Sequence, residues 1–369
     1  MTTQTLRAIG LMSGTSLDGV DVAYLETDGE TISRFGASAT LHYEDDFRAD
    51  LRRLLDLAPS LAPDDPFLKS VEERITRDHA IAVGLMGRAA DVVGFHGQTI
   101  LHAPEQHRSW QIGDAGLLAH ICRFPVVHDF RGADIAAGGQ GAPLAPLFHA
   151  AMAANLPKPL LVINIGGVAN LTYLGPDGEI LACDTGPGNG PIDDLTQKFF
   201  DTPYDKNGEI AANGQVDHAR LKQLLAHPFF ARPAPKSLDR LTFSGLIAQA
   251  TENLAPQEAI ATLTAFAAAA IAQTRLPAAP LRVLVGGGGR KNATLMAKLA
   301  AAFPVPVEPV EAAGWDGDAL EAQCFAFLAV RSLRGLPLSL PGTTGVPYPM
   351  PGGSTVPTPD RPQMPAPAA

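Results

Sequence analysis

Asp184 stands in the run Cys183-Asp184-Thr185-Gly186-Pro187-Gly188-Asn189-Gly190-Pro191, straight after the apolar piece Ile180-Leu181-Ala182. Proline lacks a donor N–H and glycine takes backbone angles that other residues resist, so such a run reads as a tight loop at a strand end. A lone carboxylate there, among bare backbone donors, suits a general base, which works only where geometry fixes it against one proton. An Asx-type turn, with Asp184 bonding its own backbone, is the competing reading. The second chemical stretch is Ser13-Gly14-Thr15-Ser16-Leu17-Asp18-Gly19. Its hydroxyls and backbone N–H groups can cradle a phosphate, and Asp18 or Asp21 could reach the accompanying Mg²⁺. A polar hairpin loop with no ligand is the alternative there.

Other candidates sit at the ends of apolar runs. Asp91 to Gly94 reads as a short buried strand ending in the polar cluster Phe95-His96-Gly97-Gln98-Thr99, the usual place for site residues in an α/β sheet. His96 by itself reads as a satisfied structural histidine. Asp114 opens the helix Ala115 to Cys122, either as its N-cap or as a ligand for a substrate hydroxyl. Val126 to Arg131 is again an apolar strand ending in charge. It leads into the glycine-rich loop Gly138 to Pro146, which contains Gln140, and long loops of small residues inside a compact domain are usually functional. Arg131 beside that loop is suited to gripping an oxygen-rich ligand, a surface ion pair being the alternative. The strand Leu281 to Val285 runs into Gly286-Gly287-Gly288-Gly289-Arg290-Lys291-Asn292, where backbone without side chains lets a flat ring or a phosphate come close. Asp318-Ala319-Leu320-Glu321 has the form of a capping box, so Glu321 is either a cap or a catalytic-site acid.

These pieces are spaced like a duplicated scaffold. Arg7 to Met12 and Val20 to Leu25 form a strand–turn–strand unit closing at Asp28-Gly29, and the pattern returns at Leu160 to Leu174, closing at Asp177-Gly178. The second unit carries Gly166 and Gly167 in its turn. Two like halves facing across a cleft, each with a phosphate-gripping hairpin, describe an α/β protein of two duplicated actin-like, ribonuclease H-like domains. The expected division is a first domain over 1–155, a second over 156–340, and an unfolded Pro-rich tail over 341–369. Helices are expected at Asp45 to Leu57, Phe67 to Met86, Pro191 to Phe200, Gln257 to Gln273, Ala293 to Ala302 and up to about Arg334.

At 369 residues the chain has room for two cores, and 46% hydrophobic with 18% charged residues excludes wholesale disorder. A net charge of −10 argues against nucleic-acid or anionic-membrane partners. Cys122, Cys183 and Cys324 are too widely spaced for a metal site and read as buried thiols in a reducing cytoplasm. Met1 to Ala8 lacks the features of a signal peptide, and Leu263 to Ala272 is too short to span a bilayer.

Seven ordered motifs, GLMSGTSLDGVDVA, GFHGQTILHAP, QIGDAGLLA, FRGADIAAGGQGAPLAP, NIGGVANLT, DTGPGN and GGGGRKN, together resemble the anhydro-N-acetylmuramic acid kinase family from Ile9 to about Pro341. The resemblance implies the two-domain actin/hexokinase-like fold. It also implies ATP, Mg²⁺ and a water that opens the 1,6-anhydro ring of the sugar, giving N-acetylmuramic acid 6-phosphate in cell-wall recycling. Carried onto this chain, the family's ATP-phosphate loop falls on Gly14, Thr15, Ser16, Leu17, Asp18, Gly19, Val20 and Asp21, and its catalytic aspartate on Asp184. Gly166 and Gly167 match the second phosphate hairpin, and Gly287, Gly288 and Asn292 the adenosine-side loop. Thr99, Asp114, Arg131 and Gln140 would contact the sugar. Where relatives carry a KSTGRE-like stretch, this chain has Lys236-Ser237-Leu238-Asp239-Arg240-Leu241, a departure expected to touch domain-closing contacts. The resemblance implies a cytoplasmic homodimer acting on ATP and a small sugar. A kinase of the same fold for another sugar or a carboxylate, and a non-enzymatic actin-like ATPase, remain as alternatives.

Overall fold

The computed structural model describes residues 4–14, 16–238 and 242–358. A first sheet opens with the hairpin β1 (Leu6–Ser13) and β2 (Gly19–Thr27), which continues antiparallel into β3 (Ile32–His42). On the other side of β1 lie β4 (Val92–Ala103), whose outer half turns back into β5 (Arg108–Ile112), and then β6 (Val126–His128), with β4 and β6 parallel to β1. The second sheet repeats the plan. Its hairpin is β7 (Leu160–Ile165) and β8 (Val168–Leu174), followed antiparallel by β9 (Ile180–Pro187), while β10 (Arg282–Gly286) and β11 (Val307–Pro309) add parallel strands beyond β7. Leaving aside the branch β5 and one further strand at the outer edge of the first sheet, each sheet runs third, second, first, fourth, fifth strand across, with the second strand reversed. This is the doubled ribonuclease H-like, actin-like arrangement that the repeated hairpin implies.

The central strands are covered on both faces, which is why β1 and β7 read as near-continuous apolar runs and not as alternation. On one side Ile9 and Leu11 meet Phe47, Leu51 and Ile75 from the helices Asp45–Leu57 and Pro66–Leu85. On the other, Ala8 and Val92 meet the buried helix Leu320–Leu333. That contact is made at backbone distance. A Cβ on Gly10 would stand 1.8 Å from the Ala322 carbonyl oxygen, and one on Gly94 would stand 2.1 Å from that of Phe325. The helix thus belongs by sequence to the 156–340 segment and by packing to the first sheet.

Two expectations are corrected here. The run at Asp184 is not a loop: β9 continues through Pro187, with Asp184 opposite Asn170 and a register shift between Ala169 and Asn170. Proline and glycine are admissible because β9 is the sheet's edge and the bulge absorbs the irregular backbone. Nor is the chain unfolded from Pro341. Pro341–Thr344 is a short helix with Thr343 and Thr344 buried, and β12 (Ser354–Val356) pairs antiparallel with β6. A three-residue β6 would otherwise leave its outer N–H and C=O groups unpaired, and β12 satisfies them. Residues 359–369, the remainder of the expected tail, lie outside the described residues.

Candidate active site

The turn of the first hairpin, the expected phosphate loop, is fixed by contacts from several elements. Leu17 is left-handed at φ 57°, its N–H donates to the Gly14 carbonyl at 3.2 Å, and its own carbonyl accepts from Arg48 Nε at 3.1 Å. Leu17 and Val20 are buried in the core of the first sheet, which anchors the turn from both ends. The Ser16 hydroxyl donates to Asp18 Oδ1 at 2.6 Å, and a Cβ on Gly19 would strike the Leu41 carbonyl. Gln98 ties the turn to β4: it accepts from the buried Ser13 hydroxyl and donates to the Gly14 carbonyl at 3.3 Å. Thr15 lies outside the described residues. Asp21 accepts from Thr40 Oγ1 at 2.6 Å, and burial, reinforced by Asp18, Glu321 and Asp318, pushes it up to about 6.

The second hairpin and the acid strand are stitched into one unit. Gly166 and Gly167 accept through their carbonyls from Asn189 N–H at 2.7 Å and Gly188 N–H at 2.9 Å. Gly188 has no room for a side chain, since a Cβ there would lie 2.3 Å from the Gly166 oxygen. On the far side of this turn sits the glycine loop after β10. A Cβ on Gly287, at φ 71°, would meet Asn164 Oδ1 and the Ile165 carbonyl, and Gly288 comes near Asn189 Nδ2. Asn292 is different. Its side-chain oxygen accepts from Leu295 N–H at 2.9 Å, so it is the N-cap of the helix Ala293–Ala302 and no contact to a nucleotide is needed to account for it.

Asp184 is 7% exposed. Its N–H donates to the Lys236 carbonyl at 2.8 Å, and its Oδ2 accepts from Leu238 N–H at 2.7 Å. It is therefore held from another segment and not from its own turn, which removes the Asx-turn reading. Burial pushes its carboxyl up to about 7, against the opposing pull of the Leu238 N–H, Arg131 and Lys236. Arg131 in turn feels the charges of both Glu321 and Asp184. It is no surface ion pair: Nη1 donates to the Gly141 carbonyl at 2.6 Å and Nη2 faces His96 Nε2 at 2.9 Å. A guanidinium only donates, so His96 accepts at Nε2 and carries its proton on Nδ1 toward the Gly97 carbonyl at 2.8 Å. Burial, then Arg131, holds His96 well below the usual histidine range, so it stays neutral and orients the arginine.

Glu321 lies in the first turn of its helix and accepts from Asn164 Nδ2 at 3.3 Å. The capping box is not formed, because Asp318 is engaged by Lys291 at 2.8 Å and Arg290 at 2.9 Å. Glu321 sits deep within the molecule while its side chain stays open to the cleft, and burial raises its carboxyl.

The proposed sugar residues divide. Arg131 joins Asp184 and Glu321. Gln140 bridges the two halves, its N–H donating to the Thr344 carbonyl at 2.8 Å and its Nε2 to the Pro235 carbonyl at 3.3 Å. Thr99 accepts from Gln111 Nε2 within the β4–β5 hairpin. Asp114 is an exposed N-cap, accepting from Leu117 N–H at 2.9 Å, with its own N–H on Thr76 Oγ1; its described hydrogen bonds reach none of the cleft residues. Sequence reasoning placed Gln98 in a polar cluster without a role and gave none to Asn164, each a polar residue late in an apolar strand, which was the available signal. It also passed over the bracing of Asp184 by Lys236 and Leu238, for which no local signal exists. Asp239, Arg240 and Leu241 of that divergent stretch lie outside the described residues.

The model for the anhydro-N-acetylmuramic acid kinase family matches residues 6–358. An anhydro-N-acetylmuramic acid kinase of Acidiphilium cryptum is 66% identical over 92% of this chain and 95% of its own length. One of Gluconobacter oxydans is 51% identical over 91% of this chain and 96% of its own. The fold also aligns with a ROK family glucokinase of Streptomyces griseus in complex with glucose and AMPPNP, at a TM-score of 0.41 and 14% identity over 88% of this chain and 98% of that one, too loosely to argue from. With a family model over nearly the whole chain and close relatives at nearly full length, the chain belongs to the anhydro-N-acetylmuramic acid kinase family.

Proposed function

We propose that this cleft uses ATP and water to convert anhydro-N-acetylmuramic acid to N-acetylmuramic acid 6-phosphate, with Asp184 as the base. The observation that supports this reading is the buried Asp184 carboxylate, held by Leu238 N–H and in the field of Arg131. Asp184 takes a proton from water, whose oxygen bonds to the anomeric carbon. The bond from that carbon to the bridging oxygen breaks, and the oxygen, now on C6 alone, attacks the γ-phosphorus as the β–γ bridge leaves with ADP. Acetal opening by one carboxylate and one water resembles inverting glycoside hydrolysis, and the phosphoryl transfer needs mainly positioning and charge neutralisation.

The backbone of Gly14 to Gly19 and the turn Gly166–Gly167 receive the phosphates, and Gly287 and Gly288 admit the adenosine side. Arg131 and Glu321 flank the reacting sugar. Asp18 and Asp21 would supply the hard carboxylate oxygens that suit Mg²⁺. Among the described residues no three acids or histidines could cage a cation by themselves, so the ion would be shared with the nucleotide. When bound it neutralises charge on the phosphates. No described helix is long and apolar enough to cross a membrane, and the free thiols Cys122, Cys183 and Cys324 fit a reducing cytoplasm.

Mass analysis of product formed in ¹⁸O-labelled water tests the reading. The expected product carries one added water, with the label on the sugar and none on the phosphoryl group. A phosphorylated sugar that keeps its anhydro ring would overturn it.

A further inference from the structure

Lys236 is 4% exposed, yet no carboxylate salt bridge accounts for its ammonium among the described residues. Nζ donates to the Phe229 carbonyl at 3.1 Å and lies 4.4 Å from the centre of the Phe229 ring. A buried lysine is costly, and a merely space-filling role would be served better by an apolar side chain. The backbone on either side of it does one job. The Lys236 carbonyl takes the Asp184 N–H, and the Leu238 N–H takes the Asp184 carboxylate. The same strap reaches the first domain, through Gln140 Nε2 on the Pro235 carbonyl and through Arg232 facing Glu105 at 3.5 Å.

We propose that Lys236 is a positioning residue for the reaction: its ammonium, seated on Phe229, pins the strap 236–238 against β9 and so sets the orientation of the Asp184 carboxylate. This rests on the reading of Asp184 as base. Among the described residues the charged and titratable groups around that carboxylate are Arg131 from the first domain, Lys236 from the strap and Cys183 from its own strand, with Arg232 acting on Lys236. Lys236 also favours the ionised form of Asp184 by its charge. Its removal therefore moves the acidic limb of the rate profile to higher pH.

The experiment is the pH profile of kcat in Lys236→Met, with KM for ATP and the melting temperature measured alongside. The expected result is a KM for ATP within about twofold of the parent and an acidic limb displaced upward by about one pH unit, the low end for loss of a neighbouring opposite charge. Turnover should fall about tenfold on the acidic side and recover as the pH rises. Lys236→Gln, which keeps a donor for the Phe229 carbonyl but no charge, should keep the fold and show the same displaced limb. An unmoved limb in both variants overturns the proposal. So does an equal loss at every pH in both variants accompanied by a lowered melting temperature, or failure of both to fold, since either outcome makes the residue structural. Asp184→Asn run beside them separates the two claims. Turnover retained there overturns the base itself, whereas an inactive Asp184→Asn beside an unaltered Lys236→Met profile overturns only the positioning.

Discussion

A carboxylate as buried as Asp184 loses the hydration that favours its ionised form, and here the N–H of Leu238 and the charges of Arg131 and Lys236 recover only part of it. The result, about 7, is near the value a general base needs at neutral pH. The sign follows from the chemistry: only the ionised form accepts a proton, and it is the form lost as pH falls. We therefore expect kcat/KM for the sugar to drop about tenfold per pH unit below about pH 7, because kcat/KM reports the free enzyme. A profile flat down to about pH 5 would remove Asp184 from the step. His96 contributes no limb of its own, since Arg131 occupies its acceptor nitrogen and holds it neutral.

Among the elements, the helix Leu320–Leu333 matters most, because it carries Glu321 and lies flat on β1 and β4. Its tightest approach is over Gly10 and Gly94. Gly10→Ala places a methyl 1.8 Å from a backbone carbonyl, so the helix must lift. We expect a loss of about 1–3 kcal/mol, the usual cost of overpacking, read as a lower midpoint in denaturant unfolding, with turnover reduced because Glu321 moves with the helix. A midpoint equal to the parent's would mean that the contact yields freely. The strand β12 gives a second test. Gly353, at φ 81°, turns the chain into it, and Ser354 to Val356 complete the edge of β6. Truncation after Gly353 should lower the melting temperature by several degrees. An unchanged melting temperature would show that β6 tolerates an open edge.

For the molecule as a whole, burial also acts on groups that take no part in the proposed chemistry. His79 is fully buried against Phe95, with Nδ1 on the Ile75 carbonyl at 2.7 Å and Nε2 without a described partner, and burial pulls it down to about 4. A histidine near 6.5 in the unfolded chain takes up its proton earlier than the folded one does. Its contribution is therefore intact above about pH 6.5 and is lost as pH falls toward about 4. His79→Phe keeps a ring of similar shape and removes this linkage. Relative to the parent it should gain up to about 3 kcal/mol between pH 8 and pH 4, measured as the difference of two urea-unfolding series. A difference independent of pH would mean that His79 titrates as in the unfolded chain.

The sequence alone determined what local chemistry and periodicity can carry. Glycine and hydroxyl residues at 14–21, 166–167 and 287–288 marked the candidate ligand loops, with a ligand-free hairpin left open at 14–21, and the repeated strand–turn–strand unit implied the doubled α/β plan. The helices Asp45–Leu57, Ala115–Cys122 and Ala293–Ala302 are where the apolar spacing puts them. Tertiary structure decided what depends on partners distant in the chain. A Pro- and Gly-rich run becomes strand at Asp184 because β8 offers an edge, and Ser354–Val356 become strand because β6 does. Asp318 abandons its cap for Arg290 and Lys291, since a charge-assisted bond between side chains outcompetes a backbone N–H. Asp114 and Asn292 went the other way, to capping, because each already stands one residue ahead of a helix whose first N–H groups need an acceptor. The bracing of Asp184 joins residues 54 apart, and a contact of that span leaves no periodic mark in either segment.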